Sequence, residues 1–383
     1  MTLKDFDDDA IVISGISGKF PKSDNINELI ENLFNGKDCV SSDHTRWKFN
    51  NARVPARIGT MSQIGKFDNL SFGVHAKQAH FIDPASRMAT EITFEAITDA
   101  GINPVELRSM KTNVYGATNL GETDKGLFYA KMEQTGHNLM GSSRAMISNR
   151  TSFCLDFIGS SCTIDSDCAS SGVGIQKAYE DLKCKICDYA IIVSGITILH
   201  PQISYHLSNL GLLSPDGMNR SFDEKASGFS RSESIGAIFL QRAKNAKRIY
   251  AEIVNILTMY GDNIPRNACL YPTAEFQAEI MKQTLTRCGL KPTDINYIEA
   301  DGTAVKSMDR EELKAIDSIY GENRNPLNPL LIGSIKSNIG HTMNMNVVNS
   351  IIKVLIAMET GVIPPNLHYD EPPKDAKCLQ DGR

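Results

Sequence analysis

The 383-residue sequence has little positive charge at its start: MTLKDFDDDA sets four Asp ahead of the first apolar run, the wrong sign for a signal or transit peptide, so none is expected. A cytoplasmic protein is the expectation. Long hydrophobic runs are also lacking. The longest, Tyr189 to Leu199, falls well short of the roughly 20 residues a membrane helix needs, so it predicts a buried strand and no membrane span. Positive charge is not in excess, with 40 Lys+Arg against 45 Asp+Glu for a net charge of -5, which argues against nucleic acid as a partner. Nine cysteines, an odd and scattered number, fit reduced thiols better than a disulfide framework.

Several chemical signatures are missing too. Gly15-Ile16-Ser17-Gly18-Lys19 does not meet the spacing of a phosphate-binding loop, and the sequence has neither a Gly-x-Ser-x-Gly elbow nor His-Glu-x-x-His. Cys184-Lys185-Ile186-Cys187 has no second pair or His cluster nearby in sequence, so zinc is not expected.

What is present is a layered α/β pattern. Ile/Val-rich runs (Ile11–Ser14, Asn113–Tyr115, Tyr189–Ser194, Ile235–Gln241) alternate with amphipathic windows at Asn27–Phe34, Met88–Ala100, Val173–Lys183, Ala274–Cys288 and Asn346–Met358. Asp24-Asn25 and Asp83-Pro84 supply helix starts, and Gly101 and Gly289 supply stops.

Three places could carry chemistry. Cys168 follows the strand-like Ser161–Asp165 and precedes a helix, a position where free N–H groups and the helix dipole lower a thiol pKa; a buried structural Cys is the alternative. His341 closes the polar run Gly333–Gly340 ahead of another helix and could act as donor or base, or be a structural histidine. Asp301-Gly302 follows the strand-like Tyr297–Ala300 and could equally be only a turn.

These segments together resemble the β-ketoacyl synthase (condensing) domain of an animal-type fatty acid synthase. The similarity runs from Ala10 to Arg383. It is carried by IVISGISGKFPKSDNINELIENLFNGKD, FIDPASRMATEITFEAITDAGI, NRTSFCLDFIGSSCTIDSDCASS, LHPQISYHLSNLGLLSPDGMNRSFDEKASGFSRSES and LLIGSIKSNIGHTMNMNVVNSIIKVLIAMETGVIPPNLHYDEPP. The resemblance implies a thiolase-like α-β-α-β-α fold of two pseudo-repeated halves with the last C-terminal strands missing. Residues 1–240 would form the nucleophile half and residues 241–383 an incomplete histidine half. It further implies a homodimer, no metal, nucleotide or flavin, and substrates carried as phosphopantetheine thioesters on acyl carrier protein, both acyl and malonyl.

By resemblance Cys168 is the nucleophile, His341 the later catalytic histidine and Lys336 the family's lysine. The family's earlier histidine, in His-Gly-Thr-Gly-Thr, falls on Asp301 of Asp301-Gly302-Thr303-Ala304-Val305. Asp167 replaces a small residue before the nucleophile, where a carboxylate opposes thiolate formation. Met343 to Asn346 replace a Glu and small residues after His341, so a misshapen pocket floor is expected. Three readings follow: an active condensing domain, an acyl acceptor impaired in condensation, and a non-catalytic dimerisation or docking module.

Overall fold

In the computed structural model residues 6–47, 54–119, 121–123, 136–261, 271–322 and 324–380 are described, and Arg383, where the resemblance ends, lies outside them. The strands are β1 (Ile11–Lys19), β2 (Val40–Ser41), β3 (Ile58–Gly59), β4 (Thr112–Ala117), β5 (Ser161–Ile164), β6 (Tyr189–Ile196), β7 (Ser234–Arg242), β8 (Ala251–Glu252), β9 (Tyr297–Glu299) and β10 (Leu331–Gly333). Six of them form one mixed sheet in the order β5-β4-β6-β7-β1-β8. β4 runs parallel to β5 and β6, while β7 is antiparallel to both β6 and β1.

The apolar runs are continuous because this sheet is buried on both faces. Along β6, Ile191 and Val193 enter one core with Met88, Ile92 and Ile97 of the helix Pro84–Asp99. Ala190 and Ile192 enter the other, with Ile175 and Leu182 of the helix Ser170–Lys183 and Val348 and Ile352 of the helix Asn346–Thr360. Each such fully buried Ile or Val contributes roughly 1.5–3 kcal/mol. A smaller unit pairs β9 with β10 in parallel and packs Leu285, Leu313, Ile316 and Tyr320 beneath them. No helix among the described residues is long and apolar enough to cross a membrane.

The local signals act as expected. Asn25 accepts from Glu28 N, Asp83 accepts from Ser86 N with Pro84 in the first turn, and Gly289 closes its helix at φ +66. β1 is longer than the Ile11–Ser14 run suggested, because its glycines are sites of close approach and not breaks. A Cβ on Gly15 would lie 2.0 Å from Ala96 O, so this glycine lets the Pro84–Asp99 helix press onto the strand.

Candidate active site

Cys168 sits in a short 3-10 turn, Asp167–Ala169, that feeds directly into the helix Ser170–Lys183. Ser170 locks this turn: its Oγ accepts from Ser166 N at 2.8 Å and donates to Asp167 O at 2.6 Å. Asp167 takes a left-handed conformation at φ +50, and its carboxylate accepts from Asn119 Nδ2 at 3.3 Å. The expectation of a lowered thiol pKa is overturned here. Burial first, then the charges of Asp167 and Asp301, push the Cys168 thiol up to about 12, and the opposing Lys336 cation does not offset them. The 3-10 turn places Cys168 ahead of the helix proper, and the desolvation outweighs what the helix start supplies.

Asp301 lies in the loop after β9. Glu312, on the helix Lys306–Tyr320, accepts from both Asp301 N (2.7 Å) and Gly302 N (2.9 Å), so one carboxyl group fixes the two residues. Asp309 on the same helix accepts from Ala304 N at 3.1 Å and Thr303 Oγ1 at 3.1 Å. Burial raises both acids, Glu312 to about 8 and Asp309 to about 6, and the nearby Asp301 charge adds to each. Lys336, only 2% exposed, donates to Asp301 Oδ1 at 2.6 Å and to Asp301 O at 2.8 Å. Burial alone would raise the Asp301 pKa; the Lys336 cation outweighs it, and the carboxyl is held below its usual value, ionised at neutral pH.

His341 is 3% exposed, with its ring stacked on Phe229 at 4.2 Å between centroids. Met343 N donates to Nδ1 at 3.2 Å, and Asn346 Nδ2 faces Nε2 at 3.2 Å, so each ring nitrogen of the neutral imidazole meets a donor. The Asn346 amide is oriented by its other end, whose Oδ1 accepts from Thr342 N and Oγ1, each at 3.0 Å. Burial first, and then the positive charge of Lys336, depress His341 to about 3, so the imidazole is neutral.

A cavity of about 970 Å³ brings Cys168, Asp301 and Lys336 together, with Ile175, Val347, Ile351 and Leu355 among its walls. Asn346 lines it, whereas His341, which Asn346 covers, does not. Met343, Asn344, Met345 and Asn346 are all buried, and Asn344 Nδ2 ties to Ala117 O, Ser194 Oγ and Gly195 O at 2.9–3.0 Å. The Asn344 amide therefore anchors the segment after His341, while Asn346 sets its amide beside the imidazole. Glu312 went unread in the sequence and could have been found only as an acid on the helix after the Asp301 loop; Asn346 was read only as a departure from the family's small residues, and its contact with His341 was not.

With this geometry in hand, comparison with known proteins gives a consistent result. The family profile described as Beta-ketoacyl synthase, N-terminal domain, matches residues 8–246, and that of the C-terminal domain matches residues 250–370. A fatty acid synthase from Anser anser anser is 37% identical over 352 residues, which is 92% of this chain and 99% of that sequence. Probable polyketide synthase 1 of Dictyostelium discoideum is 32% identical over 394 residues, covering 94% of this chain but 12% of the relative's own length. Among solved structures, the ketosynthase from module 6 of the bacillaene synthase from Bacillus subtilis 168 superposes with a TM-score of 0.86 at 30% identity, over 95% of this chain and 64% of that one.

Proposed function

The chain belongs to the β-ketoacyl synthase family, and on that premise we propose that it is an acyltransferase of this type in fatty acid synthesis. Cys168 takes an acyl group from an acyl carrier protein thioester, and the acyl group is then condensed with malonyl carrier protein. The observation that carries the transfer step is the opening of the Cys168 thiol, beside Lys336, onto a large cavity with apolar walls. In that step the cysteine sulfur attacks the thioester carbonyl, the carbon–sulfur bond to the pantetheine arm breaks, and the departing pantetheine sulfur takes up the proton that Cys168 gives up.

A second reading, acyl transfer with condensation impaired, is favoured by two specific contacts. Decarboxylation of malonyl thioester builds charge on an enolate oxygen, which needs hydrogen-bond donors. Asp301 presents a carboxylate where the family has a histidine, and Asn346 stands between His341 Nε2 and the cavity. Incubation with an acyl-pantetheine thioester should give an intact-mass increase of one acyl group that Cys168→Ala abolishes. Subsequent addition of malonyl thioester should then give little β-ketoacyl product. A native protein that neither holds an acyl adduct nor releases the acyl group would remove both readings, and rapid β-ketoacyl product formation would remove the second.

A homodimer is proposed from the sheet edge. β5 ends the six-stranded sheet with one side unpaired among the described strands, and Phe153 (85% exposed) and Ile158 (63% exposed) stand just before it. An unpaired edge flanked by exposed apolar side chains invites pairing with a second copy. Sedimentation should report a dimer at micromolar concentration; a monomer there would exclude it.

A further inference from the structure

We propose a further activity at this site: hydrolysis of the acyl thioester held on Cys168, with Asp301 as general base toward water. The inference rests on the reading of Cys168 as acyl acceptor, and its geometry comes from the Asp301 loop.

Asp301 keeps 53% of its side-chain surface exposed, and it lines the same cavity as Cys168. Its Oδ1 is taken by Lys336 at 2.6 Å, while Oδ2 makes no hydrogen bond to a described residue and is left to solvent. The loop that carries it is fixed from behind by Glu312, through two backbone N–H groups. A single water occupies about 30 Å³ of liquid volume, so a cavity of about 970 Å³ admits both an acyl chain and water beside the thioester. Lys336 Nζ spends two of its hydrogens on Asp301, leaving one in a site where negative charge develops on the thioester oxygen.

The step balances without another reactant. Water oxygen attacks the acyl carbonyl carbon as the Asp301 carboxylate takes a water proton, and a new carbon–oxygen bond forms. The carbon–sulfur bond to Cys168 then breaks, the leaving sulfur recovers the proton from the Asp301 carboxyl group, and a free carboxylic acid departs. A carboxylate is a weak base toward resting water, but the proton it accepts becomes acidic as the attacking oxygen bonds to carbon. An imidazole at residue 301 would supply a donor to an enolate. The carboxylate instead repels that anion and favours the competing attack by water.

The test uses the whole chain loaded with octanoyl-pantetheine, followed by intact mass and by free octanoate released. The native protein should shed its adduct and release octanoate over several turnovers. Measured per mole of adduct already formed, discharge from Asp301→Asn should be on the order of 10²-fold slower, and Asp301→Glu should recover part of the rate. Equal discharge rates in native and Asp301→Asn proteins, or an adduct that persists in both, would overturn the hydrolysis while leaving acyl acceptance intact. Neither adduct nor octanoate from the native protein would overturn acyl acceptance itself. If Asp301→Asn does not fold, the rate of Asp301→Glu decides: a rate unchanged from a Cys168→Ala background refutes the proposal.

Discussion

Changing Asp301 to histidine together with Asn346 to alanine raises carbon dioxide release from a malonyl thioester on the order of 10²-fold or more. The size follows from what each change does at the enolate oxygen. Asp301→His replaces a held anion with a neutral donor, and Lys336 keeps its 2.8 Å contact to the main-chain oxygen of residue 301, so the buried cation is not orphaned. Asn346→Ala removes the side chain that faces Nε2 of His341 and uncovers that nitrogen to the cavity. With the Asn346 amide gone, Nδ1 still accepts from Met343 N, so the proton falls on the uncovered Nε2 and that nitrogen becomes a donor to the cavity. Each single change supplies one donor of the two, so each should fall short of the pair, and the effects should not simply add because both donors meet one oxygen. A folded double variant with native-level release would show that Asp301 and Asn346 are not what limits decarboxylation.

Glu122→Ala lowers unfolding free energy by about 3–5 kcal/mol, the cost of leaving a buried charge without its partner. Glu122 and Arg231 have side chains only 2% exposed each, and their ion pair is 2.9 Å long. The other Glu122 oxygen accepts from Leu199 N at 2.6 Å and His200 N at 2.7 Å, so truncation strands two backbone donors as well as the guanidinium. Among the described residues the Arg231 guanidinium then keeps Ser204 Oγ alone, at 3.1 Å. The same arginine is followed by Ser232, whose N donates to His341 O at 2.9 Å, so the loss reaches the isolated backbone bridge that holds His341. Urea unfolding of native and variant proteins measures it. A difference under about 1 kcal/mol would place the pair among contacts of surface value and refute the argument.

The legible parts of this protein are the local ones. Asn25, Asp83-Pro84 and Gly289 act within a few residues of themselves, and their helix ends fall where the sequence puts them. The run from Tyr189 is a strand buried on both faces, as its unbroken apolar character implies. At the site, Cys168, Asp301 and Lys336 are found in one cavity although 133 or more residues separate the first from the others, and the resemblance alone brought them together on the page of the sequence. The rest depended on phase and depth. Whether Asn346 meets Nε2 is set by the 3-10 turn Met343–Met345 that precedes its helix, and one residue more or less would turn it away. The thiol's upward shift depends on burial and on the Asp301 charge arriving from a distant loop, which no reading of the residues beside Cys168 can weigh.

The position of β1 in the sheet also has a consequence for how the chain is made. Ile11 pairs with Arg242 and Val12 with Glu252, so β1 finds neither neighbour until more than two hundred further residues exist. At roughly 5–20 residues per second, that is a wait on the order of ten seconds to a minute for an apolar segment with both edges open. During translation β1 is the segment that a chaperone would have to shield, and the sheet sets the order of assembly: β4 and β6 with β5 can pair first, and β1 can be seated only once β7 exists, with β8 added on its far edge.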